Sequence, residues 1–259
     1  MRRPHNERPR LMAHLVAGYP DMERTVDVAR GLVEGGAAML ELQMPSSDPA
    51  ADGPVIQRAC SSALERGFRL EDGLGLAEKI RLATGVPLFI MAYGSQIFAR
   101  GIRRFTEDTA AGGCDGVIAP DLTPGRDEGL YEACRAAGLS CVPVVPVSTS
   151  MPRVERILEY SRTPVWVYTA LRTGITGAET ALSSSNADFL AHIRSSGSRT
   201  IAGFGIRSPE QIAALAAHTD AVVVGSCFVR AIASAVESGE DPADCVRREA
   251  ASLTGCVID

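Results

Sequence analysis

The sequence predicts an α/β protein of the (β/α)8 barrel class. Apolar, strand-like runs alternate with helical patterns from one end of the chain to the other, and eight such units can be counted. The length of 259 residues is typical of one such TIM barrel. The strands are nearly continuous runs of Val, Ile and Ala, which indicates a parallel sheet covered on its outer face. A doubly wound sheet is the alternative, but it usually has an early glycine-rich turn that is missing here.

The predicted elements follow one another without a linker or a low-complexity segment. The eight predicted strands cover residues 11–18, 39–44, 87–93, 116–121, 140–146, 165–170, 200–205 and 221–226. The predicted helices cover residues 21–36, 55–66, 72–83, 97–111, 126–137, 151–160, 187–195 and 208–217, with further helices up to the C-terminus. We therefore assign residues 1–259 to a single TIM-barrel domain, with residues 1–10 as a flexible N-terminal tail.

Composition narrows the class of function. A hydrophobic share of 46% with a mean hydropathy of +0.06 predicts a soluble globular protein with a sizeable core. The net charge of −5 argues against nucleic acid and against an anionic membrane as partners. The seven cysteines are scattered and form no CxxC motif, which is typical of a reducing compartment and predicts a cytoplasmic protein. Because no His, Cys or carboxylate cluster has ligand spacing, we expect no metal and no organic cofactor.

Two carboxylates stand at the second predicted strand and the loop after it. Met39, Glu41 and Gln43 are predicted to share one face, because strand residues alternate between faces. Asp52 follows on a loop rich in Pro, Ser, Asp and Gly. A buried carboxylate with a second one close by suits general acid/base chemistry. The alternative is structural, with Glu41 paired to an arginine and with Asp48 and Asp52 as turn formers.

The segment Leu40-Glu-Leu-x-x-Pro-x-Ser-Asp-Pro-x-Ala-Asp-Gly-Pro54 resembles the signature of the tryptophan synthase alpha subunit family. The resemblance implies that Glu41 and Asp52 are the catalytic pair. The sequence departs from the common pattern at Gln43, where glycine is usual, and at Ser46, where phenylalanine is usual. On the inner face, Gln43 is expected to crowd the substrate pocket or to hydrogen-bond the carboxylate.

Three glycine-bearing segments fall late in the chain, at residues 174–177, 203–209 and 225–226. Barrels often bind phosphate with the loops after strands seven and eight, where glycine lets backbone N–H groups approach the anion. The plainer alternative is that these glycines only permit tight turns. The segments also match the family, and the resemblance implies a mobile loop after strand six and the following phosphate-binding set: Gly177, Phe204, Gly205, Gly225 and Ser226.

A substrate pocket is also implied by the resemblance. Its residues are His14, Gln43, Met91, Tyr168 and Thr176. On generic grounds His14 is a hydrogen-bonded core histidine. The family usually has an aromatic ring at this position, against the indole of the substrate, so His14 is expected to serve as a flat stacking surface.

The resemblance implies a lyase of tryptophan biosynthesis that cleaves indole-3-glycerol phosphate to indole and glyceraldehyde 3-phosphate. Glu41 is expected to move the protons, and an ionised Asp52 to accept the indole N–H. A tryptophan synthase beta subunit is the expected partner, although Ser46, Ser95 and Thr123 depart from the usual residues near that contact. Three alternatives remain open at this point: a stand-alone indole-releasing lyase, another phosphate-binding TIM-barrel enzyme, and an inactive regulatory partner of a beta-type subunit.

Overall fold

The computed structural model describes residues 9–162, 165–171, 184–203 and 205–258. The strands are β1 (Arg10–Val16), β2 (Met39–Gln43), β3 (Leu88–Met91), β4 (Gly116–Ile118), β5 (Ser140–Val142), β6 (Val144–Pro146), β7 (Trp166–Ala170), β8 (Arg199–Gly203) and β9 (Ala221–Val224). The helices are α1 (Met22–Glu34), α2 (Pro54–Glu65), α3 (Leu70–Thr84), α4 (Gly94–Arg100), α5 (Ile102–Ala111), α6 (Leu130–Ala136), α7 (Met151–Ser161), α8 (Ser184–Ser195), α9 (Pro209–Leu215), α10 (Ser226–Ser238) and α11 (Pro242–Thr254). None of these helices is both long and apolar enough to cross a membrane.

The strands form one parallel sheet in the order β5-β4-β3-β2-β1-β9-β8-β7-β6. The two end strands, β5 and β6, are halves of the single predicted strand 140–146. Pro143 separates them, because proline has no N–H to donate to the ladder. Since β5 pairs with β4 and β6 pairs with β7, the ring is completed through this interrupted strand. The predicted (β/α)8 barrel is confirmed.

Alternate residues of each strand face two different apolar layers. On β2, Leu40 and Leu42 belong to the large cluster between the sheet and the helices. Met39 belongs instead to the cluster inside the barrel, together with Met12 and Phe89. The predicted alternation along β2 is therefore confirmed, and it directs the next inner residues of this strand towards the interior.

The largest differences between the predicted and the observed helices lie at glycine residues. The predicted helix 97–111 is two helices, α4 and α5, because Gly101 adopts a φ of 86° that a right-handed helix does not allow. The predicted helix 126–137 shrinks to α6, because Glu128 and Gly129 have φ values of 50° and 91°. The predicted loop 171–186 lies largely outside the described residues, and α8 begins at Ser184 rather than at residue 187.

Helices α1 and α11 pack with their backbones almost in contact. A Cβ atom added to Gly31 on α1 would lie 2.3 Å from the carbonyl oxygen of Ala243. One turn later, a Cβ atom on Gly35 would lie 2.4 Å from the carbonyl oxygen of Arg247. These two glycines therefore permit the close approach of the N-terminal and C-terminal helices.

We predict that Gly31→Ala destabilises the protein by about 1–3 kcal/mol, because a methyl group must push α11 away from α1. Gly75→Ala is the matched control, since Gly75 lies on exposed α3 with nothing within 4 Å of its added Cβ. Alanine there should raise the free energy of unfolding by roughly 0.5–1 kcal/mol through helix propensity. Urea unfolding of both variants measures the two effects, and equal stabilities would contradict the packing described here.

Candidate active site

A cavity opens at the carboxyl ends of the barrel strands, where barrel enzymes bind their substrates. Its volume is about 790 Å³ when the open mouth is included. Both predicted catalytic carboxylates and several of the late glycine-segment residues border it. The lining residues are His14, Glu41, Ala51, Asp52, Ile56, Met91, Ile118, Pro120, Val144, Tyr168, Gly205, Ile206, Arg207, Val223, Gly225, Ser226, Cys227 and Arg230.

Glu41 lies in the middle of β2 and is 3% exposed. The parallel pairing of β1 with β2 places His14 directly beside Glu41 in register. The Nδ1 atom of His14 is 3.2 Å from Oε2 of Glu41. The sequence left open a structural ion pair of Glu41 with an arginine. The observed partner is a histidine, and it stands in the cavity wall.

The charge of His14 is controlled by these neighbours. Burial by itself lowers the pKa of His14, because it disfavours the charged imidazolium. The hydrogen bond to Glu41 and the negative charges of Glu41 and Asp52 outweigh that effect, so the pKa of His14 lies above its ordinary value of 6.5. A buried imidazole beside a carboxylate therefore favours its protonated form here.

Asp52 is held inside the cavity wall by two side chains from neighbouring strands. It is 4% exposed, and its Oδ2 accepts hydrogen bonds from Gln43 Nε2 at 2.6 Å and from the Tyr93 hydroxyl at 2.8 Å. The Tyr93 hydroxyl in turn accepts the backbone N–H of Ala51 at 3.1 Å. Gln57 Nε2 donates to the backbone carbonyl of Asp52 at 2.8 Å. The loop after β2 is thus fastened to the barrel on both sides of the carboxylate.

The environment of Asp52 acts on its charge in both directions. Burial raises the pKa of Asp52 above its ordinary value, and the negative charge of Glu41 adds to the rise. The charge of His14 and the hydrogen bonds from Gln43 and Tyr93 act in the opposite direction. Burial is therefore the largest influence on the pKa of Asp52, and the charge of His14 and the two donors only partly offset it.

Gln43 differs from its predicted place in the substrate pocket. Its side chain is fully buried, and it is not among the described residues that line the cavity. Its amide binds the carboxylate of Asp52 and not that of Glu41, because Gln43 lies two residues beyond Glu41, at the end of β2. Gln43 thus supports the wall from behind and does not crowd the substrate space.

The predicted phosphate-binding residues that are described lie along one side of the cavity. Gly205 has a φ of 83°, a conformation that favours glycine. Gly225 precedes α10, which begins at Ser226 with no side-chain cap, so backbone N–H groups of its first turn are available for an anion. Gly177, Phe204 and the predicted pocket residue Thr176 lie outside the described residues.

Two other predicted pocket residues line the cavity. Met91 at the end of β3 and Tyr168 on β7 both belong to the apolar cluster inside the barrel. The ring of Tyr168 packs directly on Gly203 of β8, since a Cβ atom on Gly203 would be 2.5 Å from the tyrosine hydroxyl. Together these residues give the cavity an apolar floor and side that suit a flat aromatic group.

The three residues predicted near a partner surface differ in how far they are exposed. Ser46 is buried and its hydroxyl accepts the N–H of Asp48 at 3.2 Å, so it is not on an open surface. Ser95 is exposed on α4, and Thr123 is half-buried. The turns that carry Ser95 and Thr123 are joined, since Asp121 accepts the backbone N–H of Gly94 at 3.0 Å through both oxygens.

Three side chains of this region had no site role predicted from the sequence. Tyr93 stands two residues after Met91, and its hydroxyl donates to Asp52. Because side chains alternate along a strand, the sequence could have placed Tyr93 on the same inner face as Met91. Arg207 and Arg230 bring two cationic side chains to the cavity beside Ser226. Their positions, two residues after Gly205 and one helical turn after Ser226, also follow from the sequence. Within the described ranges, no three His, Cys, Asp or Glu side chains are grouped so as to hold a metal ion.

Comparison with known proteins places the chain in a family. The family model described as tryptophan synthase alpha chain matches residues 2–255. The tryptophan synthase alpha chain of Solibacter usitatus is 39% identical over 232 residues, covering 89% of this chain and 86% of the relative. That of Syntrophotalea carbinolica is 34% identical over 223 residues, covering 86% and 87% of the two chains.

Solved structures agree with the sequence comparisons. A chain of tryptophan synthase from Mycobacterium tuberculosis matches with a TM-score of 0.85 and 32% identity, over 96% of this chain and 92% of that one. A mutant tryptophan synthase alpha-subunit from Pyrococcus furiosus matches with a TM-score of 0.84 and 27% identity, over 96% and 99% of the two chains. Because the family model matches nearly its whole length, the chain belongs to the tryptophan synthase alpha chain family.

Proposed function

We propose that the protein is a carbon–carbon lyase that cleaves indole-3-glycerol phosphate to indole and glyceraldehyde 3-phosphate. The observation that carries the proposal is the placement of Glu41 and Asp52 in the wall of one cavity that the first turn of α10 also lines. The family match favours this function over another phosphate-binding barrel enzyme, a stand-alone lyase or an inactive partner. The free thiols of all seven cysteines support a cytoplasmic location.

The reaction requires two proton movements. A proton is added to the indole ring carbon that carries the glycerol chain, and a proton is removed from the hydroxyl of the adjoining chain carbon. The electrons of the broken C–C bond pass to the ring while the hydroxyl carbon becomes the aldehyde, so no redox partner is needed. Glu41 is the proposed carrier of these protons, and Asp52 the acceptor of the indole N–H, where it stabilises the positive charge developing on the ring.

We predict that Glu41→Gln lowers kcat of the lyase reaction by on the order of two decades or more, because it removes the proton carrier and keeps the shape. Asp52→Asn should also be severe, since it removes a charge while leaving groups that Gln43 and Tyr93 can still bind. Rates are measured from indole formation, with circular dichroism as the check of folding. Near-wild-type turnover in a folded Glu41→Gln variant would remove Glu41 from the mechanism.

We further propose that Gly205, Gly225 and Ser226 bind the substrate phosphate, with Gly177 and Phe204 of the flanking segments. Support comes from the uncapped start of α10 at the cavity and from the positive φ of Gly205. Arg207 and Arg230 add positive charge on the same side of the cavity. Binding of the phosphate, at a distance from the bond that breaks, holds the indole end of the substrate in position against Glu41 and Asp52.

Ser226→Ala is expected to raise KM about tenfold with a smaller change in kcat, because one hydrogen bond to a charged group is lost. Ser238→Ala is the matched control at the opposite end of α10, where the hydroxyl donates to the carbonyl of Ala235 and to the carboxylate of Glu240. Inhibition by inorganic phosphate and glycerol phosphate should weaken in the first variant and stay unchanged in the second. Equal inhibition constants for both variants would show that Ser226 does not bind phosphate.

A tryptophan synthase beta subunit is the proposed partner, as is normal for this family. The rim formed by α4 offers a contact surface, since Ser95 and Phe98 lie one turn apart and both are exposed. Phe98 exposes 43% of its surface, which is unusual for a phenylalanine without a partner. The Asp52 loop and α4 are linked through Gln96, whose Nε2 donates to the carbonyl of Pro45 at 2.7 Å.

Titration with the beta subunit from the same source should raise lyase activity by one to two decades, which corresponds to roughly 1.4–2.8 kcal/mol of coupling. Phe98→Asp should weaken complex formation, because it places a charge in an apolar contact. Leu82→Asp is the control, since Leu82 is 81% exposed at the end of α3 that precedes β3, away from the cavity. Analytical ultracentrifugation gives the affinities, and an unchanged affinity for Phe98→Asp would exclude the α4 rim from the interface.

A further inference from the structure

We propose that His14 is a positioning residue for the lyase reaction: its imidazole Nδ1–H holds the Oε2 oxygen of Glu41, so that Glu41 works as an imidazole–carboxylate pair. The inference rests on the proposed function in one respect, since Glu41 must be the proton carrier. It replaces the expectation that His14 acts only as a flat surface for the indole ring.

The contact is built into the barrel rather than left to a mobile side chain. His14 and Glu41 are register partners on adjacent strands, their ring nitrogen and carboxylate oxygen are 3.2 Å apart, and both side chains are nearly fully buried. Both residues line the same cavity. A bond between two strand-centred side chains fixes the direction in which the carboxylate faces.

The ring of His14 is also fixed from its other side. A Cβ atom on Gly225 would lie 3.1–3.2 Å from the Cβ, Cγ and Cδ2 atoms of His14, so the ring packs directly on the residue that precedes α10. A larger residue at Gly225 would require the imidazole to shift by a few tenths of an ångström. The start of the proposed phosphate-binding helix and the proton carrier are thus joined through one histidine ring.

The second ring nitrogen points to a specific proton arrangement. Nε2 of His14 is buried and no group among the described residues meets hydrogen-bond geometry with it, although the side chain of Gln43 is close enough to favour the protonated ring. When the imidazole is neutral, its remaining proton is therefore best placed on Nδ1, where Glu41 accepts it. Loss of the imidazolium charge then weakens the pair but keeps the hydrogen bond.

Several titratable or charged groups face His14. Glu41 of β2 and Asp52 of the following loop carry the charges that favour a protonated His14. Tyr168 of β7 is buried nearby, and its pKa is raised by burial and by these two carboxylates, so it stays neutral. The remaining groups, on the cavity wall or behind it, are Tyr93, Cys60, Arg207, Cys227 and Arg230.

The first test measures the pairing without any catalysis. Histidine NMR signals are followed against pH in the full chain, and His14→Phe assigns the signal of His14. The titration midpoint of His14 should lie above 6.5. It should fall in Glu41→Gln, because burial lowers the pKa of His14 and the carboxylate that opposes this effect is then absent. A midpoint at or below 6.5, or one that Glu41→Gln leaves unchanged, would overturn the proposal. This result is independent of whether the protein is the proposed lyase.

The second test is kinetic and uses two replacements of His14. His14→Phe keeps the ring and removes the donor, and it should lower kcat by on the order of tenfold to a hundredfold, as expected for a hydrogen bond to a charged group. His14→Asn places an amide N–H near the Nδ1 position and should recover most of kcat. His192→Gln, on α8 and away from the cavity, is the control and should match the wild type.

The pH profile separates positioning from simple packing. As pH rises above 6.5 through the His14 midpoint, the wild-type kcat should fall to a lower plateau, because the imidazolium charge is lost while the hydrogen bond remains. This step should be absent from both His14→Phe and His14→Asn. A step that persists in either variant, a His14→Asn as slow as His14→Phe, or a fully active His14→Phe would each overturn the proposal. Absence of indole formation in the wild-type complex would instead reject the proposed function.

Discussion

The position of β2 between β1 and β3 in the parallel sheet is the constraint on which the rest of the site depends. Pairing with β1 brings His14 beside Glu41, and pairing with β3 brings Met91 beside Gln43. Because side chains alternate along a strand, a shift of one residue in either register would turn Glu41 towards the helices and bury it among aliphatic side chains. The apolar residues on the outer face of β2 therefore fix the carboxylate as firmly as any hydrogen bond does.

A second group of contacts fixes Asp52, which lies on a loop and has no register of its own. Gln43 and Tyr93 both donate to one carboxylate oxygen, and each stands at or just beyond the end of its strand. Glycine is the usual residue at the position of Gln43 in the resembling pattern, and glycine has no side chain with which to make this bond. The departure at Gln43 therefore adds an anchor to Asp52, while the cavity remains open because the amide lies behind its wall.

The cavity lining combines charged groups of both signs with apolar surface. Carboxylates and their donors line it together with backbone N–H groups, a serine and two arginines, although the chain as a whole carries a net charge of −5. Apolar side chains from inside the barrel line it as well. An elongated substrate with an aromatic end and an anionic end matches this combination, since each end can meet a group that stabilises it. Burial of the carboxylates raises the cost of their charge, and the donors around them offset part of that cost.

The sequence by itself determined the barrel, the alternation along β2, and the residues Glu41, Asp52, Gly205, Gly225 and Ser226 that border the cavity. These follow from local periodicity and from a long segment of specific residue types, both of which are properties of neighbouring positions in the chain. Only the tertiary structure decided that His14 binds Glu41, that Gln43 binds Asp52, and that Tyr93 donates to the same carboxylate. Each of these depends on which residues of separate strands become neighbours and on how far a side chain reaches. Such distances are set by strand register and barrel closure, which no local pattern in the sequence contains.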